Sequence, residues 1–506
     1  MYNISENITT VIVALIILGI LGWGYYRARP YGKTGILAWL QSVVLMAPWL
    51  LFFALFAAGI YLNLVFVLFL LVACTGLYIY LGRQLRTIAA KDIENQPPGL
   101  KTIDDSSQLS SNEEETQPTQ DKITNTELKK GQTPEFIPIP SEDLQKIKDI
   151  FGIDTFFTTE TIPYQEGAIF KGNLRGDVEK VHTQLSVSLK EKLGDRYRLF
   201  LLESPEAKPV VIILPSKNDP QPATTSQKIL AVVLAIATIA TSFEAGGLLL
   251  GFDFFNEPAR YPEALPIALG LCAVLGIHEV GHQVLAKRHN VRFSWPFFLP
   301  AWQIGSFGSI NRFESAIPNR KVLFDVAFAG PAAGGILSLA MLLVGLFLSH
   351  QGSMFQMPSE FFRASVLVGT LARVILGSAV NQNIVDVHPL AIIGWLGLVI
   401  TALNLMPAGQ LDGGRIMQAI YARKVAGRAT FFTFVVLVIA SLVNPLALYW
   451  AIIILVLQRN LERPCLNELI EPDDLRATLC LLALFVAIAT LFPLTPALAS
   501  RLGIGG

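Results

Sequence analysis

The sequence predicts a polytopic α-helical membrane protein of about eight to ten spans, with a small α/β cytoplasmic domain inserted between spans three and four. Three observations carry that prediction. Of the 506 residues 52% are hydrophobic and only 15% are charged, whereas a soluble domain is about a quarter charged. Apolar runs close to the ~20 residues that a bilayer requires recur along the chain. One long polar stretch, 83–226, interrupts them.

Taken in order, the runs 10–26, 35–57 and 61–82 predict an N-terminal three-helix membrane region over 1–83. No Lys or Arg precedes Arg27, so the first run lacks the basic flank of a cleaved signal and reads as a retained helix. A Ser- and Arg-rich, acid-poor transit peptide is also missing, which favours a cyanobacterial protein over a nuclear-encoded plastid precursor. Residues 84–145 form a polar linker, rich in Ser, Thr, Gln, Asp, Glu and Pro and without periodicity, as a disordered segment would be.

Residues 146–226 change character. Ala168–Leu174, Tyr197–Leu202 and Val210–Leu214 alternate as strands do, and Asp177–Leu193 carries apolar residues at helical spacing. A compact β-α-β-β unit follows. The remainder, 227–506, is the second membrane region, with long runs at 228–250, 264–285, 322–348, 388–406 and 477–497. Two shorter runs, 429–443 and 445–458, meet at Asn444-Pro445 as a helical hairpin would.

Basic residues set the orientation, because Lys and Arg concentrate on the cytoplasmic side. Arg27, Arg29 and Lys33, then Arg83 and Arg86, then Lys287 and Arg288, then Arg415, Arg423, Lys424 and Arg428 all fall inside if 349–387 stays outside. The apolar run 364–380 then lies at the interface, held by Arg363 and Arg373. With 39 basic and 39 acidic residues there is no cationic excess to bind nucleic acid. The four cysteines lack the spacing of a zinc ribbon or a disulfide framework.

The chemistry lies in Gly276-Ile-His-Glu-Val-Gly-His282. On a helix, residues four apart share a face, so His278 and His282 can meet one ion. Glu279 then stands beside the metal as general base for zinc-activated water. Three ionisable groups in an otherwise apolar helix cost about 2 kcal/mol or more each unless they find partners. The bland alternative is a pair of histidines hydrogen-bonded to neighbouring helices. Catalytic zinc keeps three protein ligands and an open position. His182, His289, His350 and His388 fall in the soluble domain, at the membrane surface or on the outer side. Asp412 lies in the segment Asn404–Gly414, at the inner end of the run 388–406 and on the same side as the end of the HExxH helix, and is the better third ligand. An ordinary Asp-Gly turn is the alternative for Asp412.

His278-Glu-Val-Gly-His282 together with Leu411-Asp412-Gly413 resembles the site-2 protease family of intramembrane zinc metalloproteases. Ser294-Trp-Pro-Phe-Phe-Leu-Pro300 and Gly172-Asn-Leu-Arg-Gly176 resemble its plastid and cyanobacterial branch, called ethylene-dependent gravitropism-deficient and yellow-green (EGY). The resemblance covers about 165–420. It implies one Zn2+ per chain on His278, His282 and Asp412, and cleavage of a membrane-anchored protein within or next to its transmembrane segment. The setting is the plasma or thylakoid membrane, with the site toward the cytoplasm. Asn404 matches the Asn that precedes the family's aspartate, with an extra spacer here. Phe293–Phe313 is too broken by Pro, Gly and Ser to span. It reads as a re-entrant hairpin in which Gly305, Ser306, Phe307 and Gly308 offer an edge to an unwound substrate, or as a surface loop. Phe328–Gly335 is rich in small residues and predicts close approach to the HExxH helix. Two other classes compete with the protease: a zinc-binding, non-catalytic membrane scaffold, and a transporter, which would be expected to show an inverted repeat.

Overall fold

The computed structural model describes residues 22, 24–32, 35–44, 77, 80, 81 and 84, and all of 139–506 except 165, 205, 207, 443, 458, 459, 503, 505 and 506. The chain divides into two compact units, 1–129 and 130–506. In the first, the described residues include a short apolar helix, Gly35–Val44. The expected spans 10–26, 35–57 and 61–82 lie largely outside the described residues, as do nearly all of the linker and its expected disorder.

The second unit opens with α1 (Ser141–Lys148), β1 (Phe156–Tyr164), β2 (Gly167–Leu174), α2 (Val178–Leu193), β3 (Tyr197–Glu203) and β4 (Pro209–Pro215). The unit is therefore larger than the expected β-α-β-β: it gains α1 and β1, and Ile139 already joins its core. The strands form one antiparallel sheet in the order β1-β2-β4-β3. The alternation that marks β3 and β4 sends Leu199, Leu201, Val211 and Ile213 into a core shared with Val181, Leu185 and Leu189 of α2. Asp177 caps α2 by accepting from the Lys180 amide at 3.0 Å.

The edge of β3 does not face solvent alone. Leu201 donates to the Leu466 carbonyl (2.8 Å) and accepts from the Glu468 amide (2.9 Å). The same short strap bonds on its other side, Leu466 N to Ile317 O and Asn467 N to Pro318 O. It thus joins the sheet to the segment that precedes the central membrane helix.

Among the described residues four helices are long and apolar enough to cross a membrane: α3 (Thr225–Leu249), α4 (Tyr261–Arg288, preceded by a short turn from Pro258), α5 (Arg320–Leu348) and a later helix, Asp474–Leu491. Ile236, Phe347 and Phe485 are each more than 60% exposed on these helices. Such large apolar side chains turned outward suit a lipid environment. The hairpin of β5 (Phe297–Ala301) and β6 (Gly305–Ile310) fills 293–313 and packs on α3 and α4. A second hairpin, β7 (Phe355–Pro358) with β8 (Ile384–Val387), brackets α6 (Val366–Leu376), whose eleven residues are too few to span.

The run 388–406 becomes α7 (Pro389–Asn404), 16 residues long and short of the expected span. Pro389 occupies its first turn, and Pro407 follows too closely for the helix to continue. The run 429–443 is helical up to Ala440 and packs against the helix that begins at Pro445, as the expected hairpin requires. It is the latter part of α8 (Asp412–Ala440), which breaks at Ala422 with φ 62°. Then follow α9 (Pro445–Leu457), α10 (Asp474–Leu491) and α11 (Pro496–Leu502). α4, α5 and α7 pack on one another, and β6 lies against α7. That arrangement positions the site.

Candidate metal centre

His278, Glu279 and His282 lie in the C-terminal half of α4, where the four-residue spacing brings both histidines to one face. Asp412 is the first residue of α8, at the end of the turn that follows α7. A carboxylate there is favoured by the unpaired amides of the helix start. The three side chains are buried, and they form the only group of three or more His, Cys, Asp or Glu side chains with metal-ligand geometry among the described residues.

Their geometry is specific. His278 Nε2 lies 3.2 Å from His282 Nε2 and 3.2 Å from Asp412 Oδ2, and His282 Nε2 lies 3.3 Å from the same oxygen. The triangle is close to equilateral. A tetrahedral ion with bonds of about 2.0–2.1 Å separates its ligands by about 3.3–3.4 Å. The second ring nitrogen of His282 donates to the Val326 carbonyl at 2.7 Å. A carbonyl only accepts, so Nδ1 carries the proton and Nε2 keeps its lone pair for the centre of the triangle. Converging electron pairs repel one another unless a cation stands between them. The donor set therefore fits zinc.

α5 closes against this face through a small residue. A Cβ at Gly330 would collide with the imidazole of His282. The small-residue run 328–335 thus lets α5 come close enough for Val326 to reach His282.

Glu279 is held from two sides. Its Oε1 accepts from Gln283 Nε2 and its Oε2 from Asn311 Nδ2, both at 2.8 Å. Gln283 also donates to the Ser294 carbonyl. Arg415, three residues beyond Asp412, is 1% exposed. It pairs with Glu462 at 2.9 Å, lies 3.9 Å from Asp412 Oδ1 and donates to the Asn311 carbonyl.

The hairpin residues singled out in the sequence are brought together, largely by hydrogen bonds between side chains and main-chain groups. Asn404 donates to the Phe307 carbonyl (3.2 Å) and to its own helix at Ile400 (2.8 Å). Gly308 has φ 103°, and a Cβ there would strike the Asn404 amide, so only glycine suits this position. Ser306 Oγ lies within donating distance of Leu299 O and Gly308 O, and accepts from the Gly308 amide. Gly305 offers its carbonyl to Thr241. Phe307 stacks on Trp450. The histidines outside HExxH lie elsewhere; His289, for instance, faces Asp325.

Sequence reasoning missed Gln283, Asn311, Arg415 and Glu462 as neighbours of the site. Gln283 is one helical turn from Glu279 and Arg415 nearly one turn from Asp412, so spacing alone could have raised both. Nothing local marks Asn311 or Glu462.

Comparison with known proteins bears on the same residues. The model for peptidase family M50 matches residues 266–443, and the model of the EGY3 middle domain matches 145–222. A protein of Arabidopsis thaliana named "Probable zinc metalloprotease EGY1, chloroplastic" is 36% identical over 401 residues, covering 72% of this chain and 73% of that protein. An Oryza sativa subsp. indica protein named "Probable zinc metalloprotease EGY2, chloroplastic" is 37% identical over 380 residues, with 72% and 70% covered. The A. thaliana "Probable zinc metallopeptidase EGY3, chloroplastic" is 32% identical over 376 residues, with 69% and 65% covered. No solved structure matches. The length of these matches, and the agreement of the M50 region with the helices that carry HExxH and the aspartate, mean that the chain belongs to the site-2 protease family of zinc metalloproteases, peptidase family M50, in its EGY branch.

Proposed function

We propose that this chain hydrolyses a peptide bond of a membrane-anchored protein, within or next to its transmembrane segment. His278, His282 and Asp412 would hold one zinc, and Glu279 would act as general base. The observation that carries this reading is the near-equilateral triangle of three buried donor atoms with a carboxylate residue adjoining it in the helix. Zinc, when bound, supplies Lewis-acid polarisation and makes water nucleophilic near neutral pH.

The chain's own residues do the rest. Glu279 takes a proton from the attacking water at its carboxylate and delivers it to the nitrogen of the departing amine. His282, fixed by Val326, keeps a lone pair on Nε2 and does not act as the acid. The hairpin 297–310 offers backbone to a substrate strand, with Asn404 fixing the carbonyl of Phe307 and Gly308 leaving room for the Asn404 amide. A transmembrane substrate must unwind before water can reach its backbone, and an added strand partner offsets the helix hydrogen bonds lost.

The α/β domain, about 139–223, lies on the cytoplasmic face in this reading, and the whole chain crosses a plasma or thylakoid membrane about eight to ten times. The basic clusters around Lys287 and Arg423 support that side for the site. The chloroplastic names of the relatives support the thylakoid type.

The test is Glu279→Gln in the full chain. Membranes from a wild-type and an E279Q strain are compared for single-span proteins that accumulate uncleaved, and a reporter is built on one that does. E279Q is expected to retain about one zinc per chain and lose cleavage about 1,000-fold or more. Wild-type cleavage by E279Q would falsify the mechanism, and zinc retention with no substrate in either strain would favour a non-catalytic scaffold.

A further inference from the structure

We propose that Asn311 is a positioning residue for the general base, holding the carboxylate of Glu279 in its working direction; this rests on the reading of Glu279 given above. Three observations support it. Asn311 Nδ2 donates to Glu279 Oε2 at 2.8 Å, from a buried position directly after β6. Its Oδ1 is also buried, and among the described residues no donor reaches it. Glu279 is therefore the side chain's one hydrogen-bond partner among them, so the amide's direction serves the carboxylate and not the surrounding fold. The main chain at 311 is fixed separately. Its carbonyl accepts from Arg415, which is itself held by Glu462 and flanked by the rings of Phe293 and Phe313.

With Gln283 on Oε1 and Asn311 on Oε2, both carboxylate oxygens are tethered and the group cannot swing about its last bond. Gln283 belongs to the same helix as Glu279, so it fixes the carboxylate only relative to α4. Asn311 comes from the hairpin on which a substrate strand would lie, so it fixes the base relative to the substrate. Both donors are neutral amides. They orient the carboxylate without setting a guanidinium against it, and Arg415, which holds the Asn311 carbonyl, is engaged by Glu462.

The test uses the full-length protein with N311A and with the isosteric N311D, which replaces the donor by an acceptor. The reporter is the single-span protein that accumulates in E279Q membranes. In both variants kcat is expected to fall about 10- to 100-fold with KM within about twofold of wild type. Zinc per chain is expected to stay unchanged, and N311A is expected to leave the residual turnover of E279Q where it was, because Asn311 acts through Glu279. Wild-type kcat in N311D, or an effect confined to KM, overturns the proposal. Loss of zinc or of folded protein in both variants overturns it too, by making Asn311 a structural residue. Full cleavage by E279Q would instead remove the reading of Glu279, a separate failure.

Discussion

His282 donates from Nδ1 to the main-chain carbonyl of Val326 across 2.7 Å, so the ring nitrogen that faces His278 and Asp412 is oriented by the backbone of the next helix. The contact exists because α5 comes close at Gly330, where a side chain would meet the imidazole.

Gly330→Ala therefore tests the orientation. The added methyl has to displace His282 or push α5 away, and either breaks the bond to Val326. Zinc affinity is expected to fall about 10- to 100-fold, measured as metal content after dialysis against a graded chelator. Gly276→Ala is the control. It lies on the same helix as His282 with open space around it, and is expected to leave zinc content unchanged.

Metal removal should be visible as stability. A ligand that binds only the folded state raises stability by about 4 kcal/mol at a thousandfold excess over its dissociation constant. Chelation is expected to lower the thermal midpoint of the wild-type protein in detergent. The same treatment is expected not to move the midpoint of H278A or D412A, in which the proposed ligand set is broken; an equal drop in those variants would show that the ion sits elsewhere.

Arg415 and Glu462 form a buried pair, 1% and 5% exposed. Removing one partner strands the other charge, so R415M and E462A are each expected to cost about 3–5 kcal/mol. The double variant should cost clearly less than the sum, as read by reversible unfolding in mixed micelles. Strict additivity would mean that the two charges do not interact.

Tyr197 gives a pH signature in the α/β domain. Burial, and then the bond from its hydroxyl to Asp143 at 2.9 Å, push its pKa up to about 12. An unfolded tyrosine titrates near 10. The folded value is the higher one, so the stabilisation is complete below about pH 10 and is lost as pH rises through 10 to 12. Unfolding of the wild-type chain should show this alkaline loss, and Y197F should lack that component.

The parts of the site that were legible in sequence share a physical reason. His278 and His282 were readable because a helix converts a four-residue spacing into a shared face. Asp412 was readable because charge along the loops brought the end of one run to the depth of another. Asn311 reaches Glu279 only after the hairpin has folded back, and Glu462 reaches Arg415 from a loop with no pattern of its own. β1 escaped notice because Phe156–Tyr164 is an edge strand with Thr, Glu and Pro163, a composition that does not alternate. The break at Ala422 carries no local mark at all, since alanine is the strongest helix former. α7 came out shorter than its apolar run because hydrophobicity measures burial, whereas prolines decide where a helix ends.

The strap at 466–468 has a consequence in time. β3 emerges from the ribosome long before the residues that bond to its edge, with the helices α3 to α9 made in between. Throughout that interval Leu201 presents unpaired backbone groups on a nearly finished sheet, the kind of edge that recruits foreign strands. Synthesis of the loop before α10 closes it, so this domain reaches its final form only when the membrane region is almost complete.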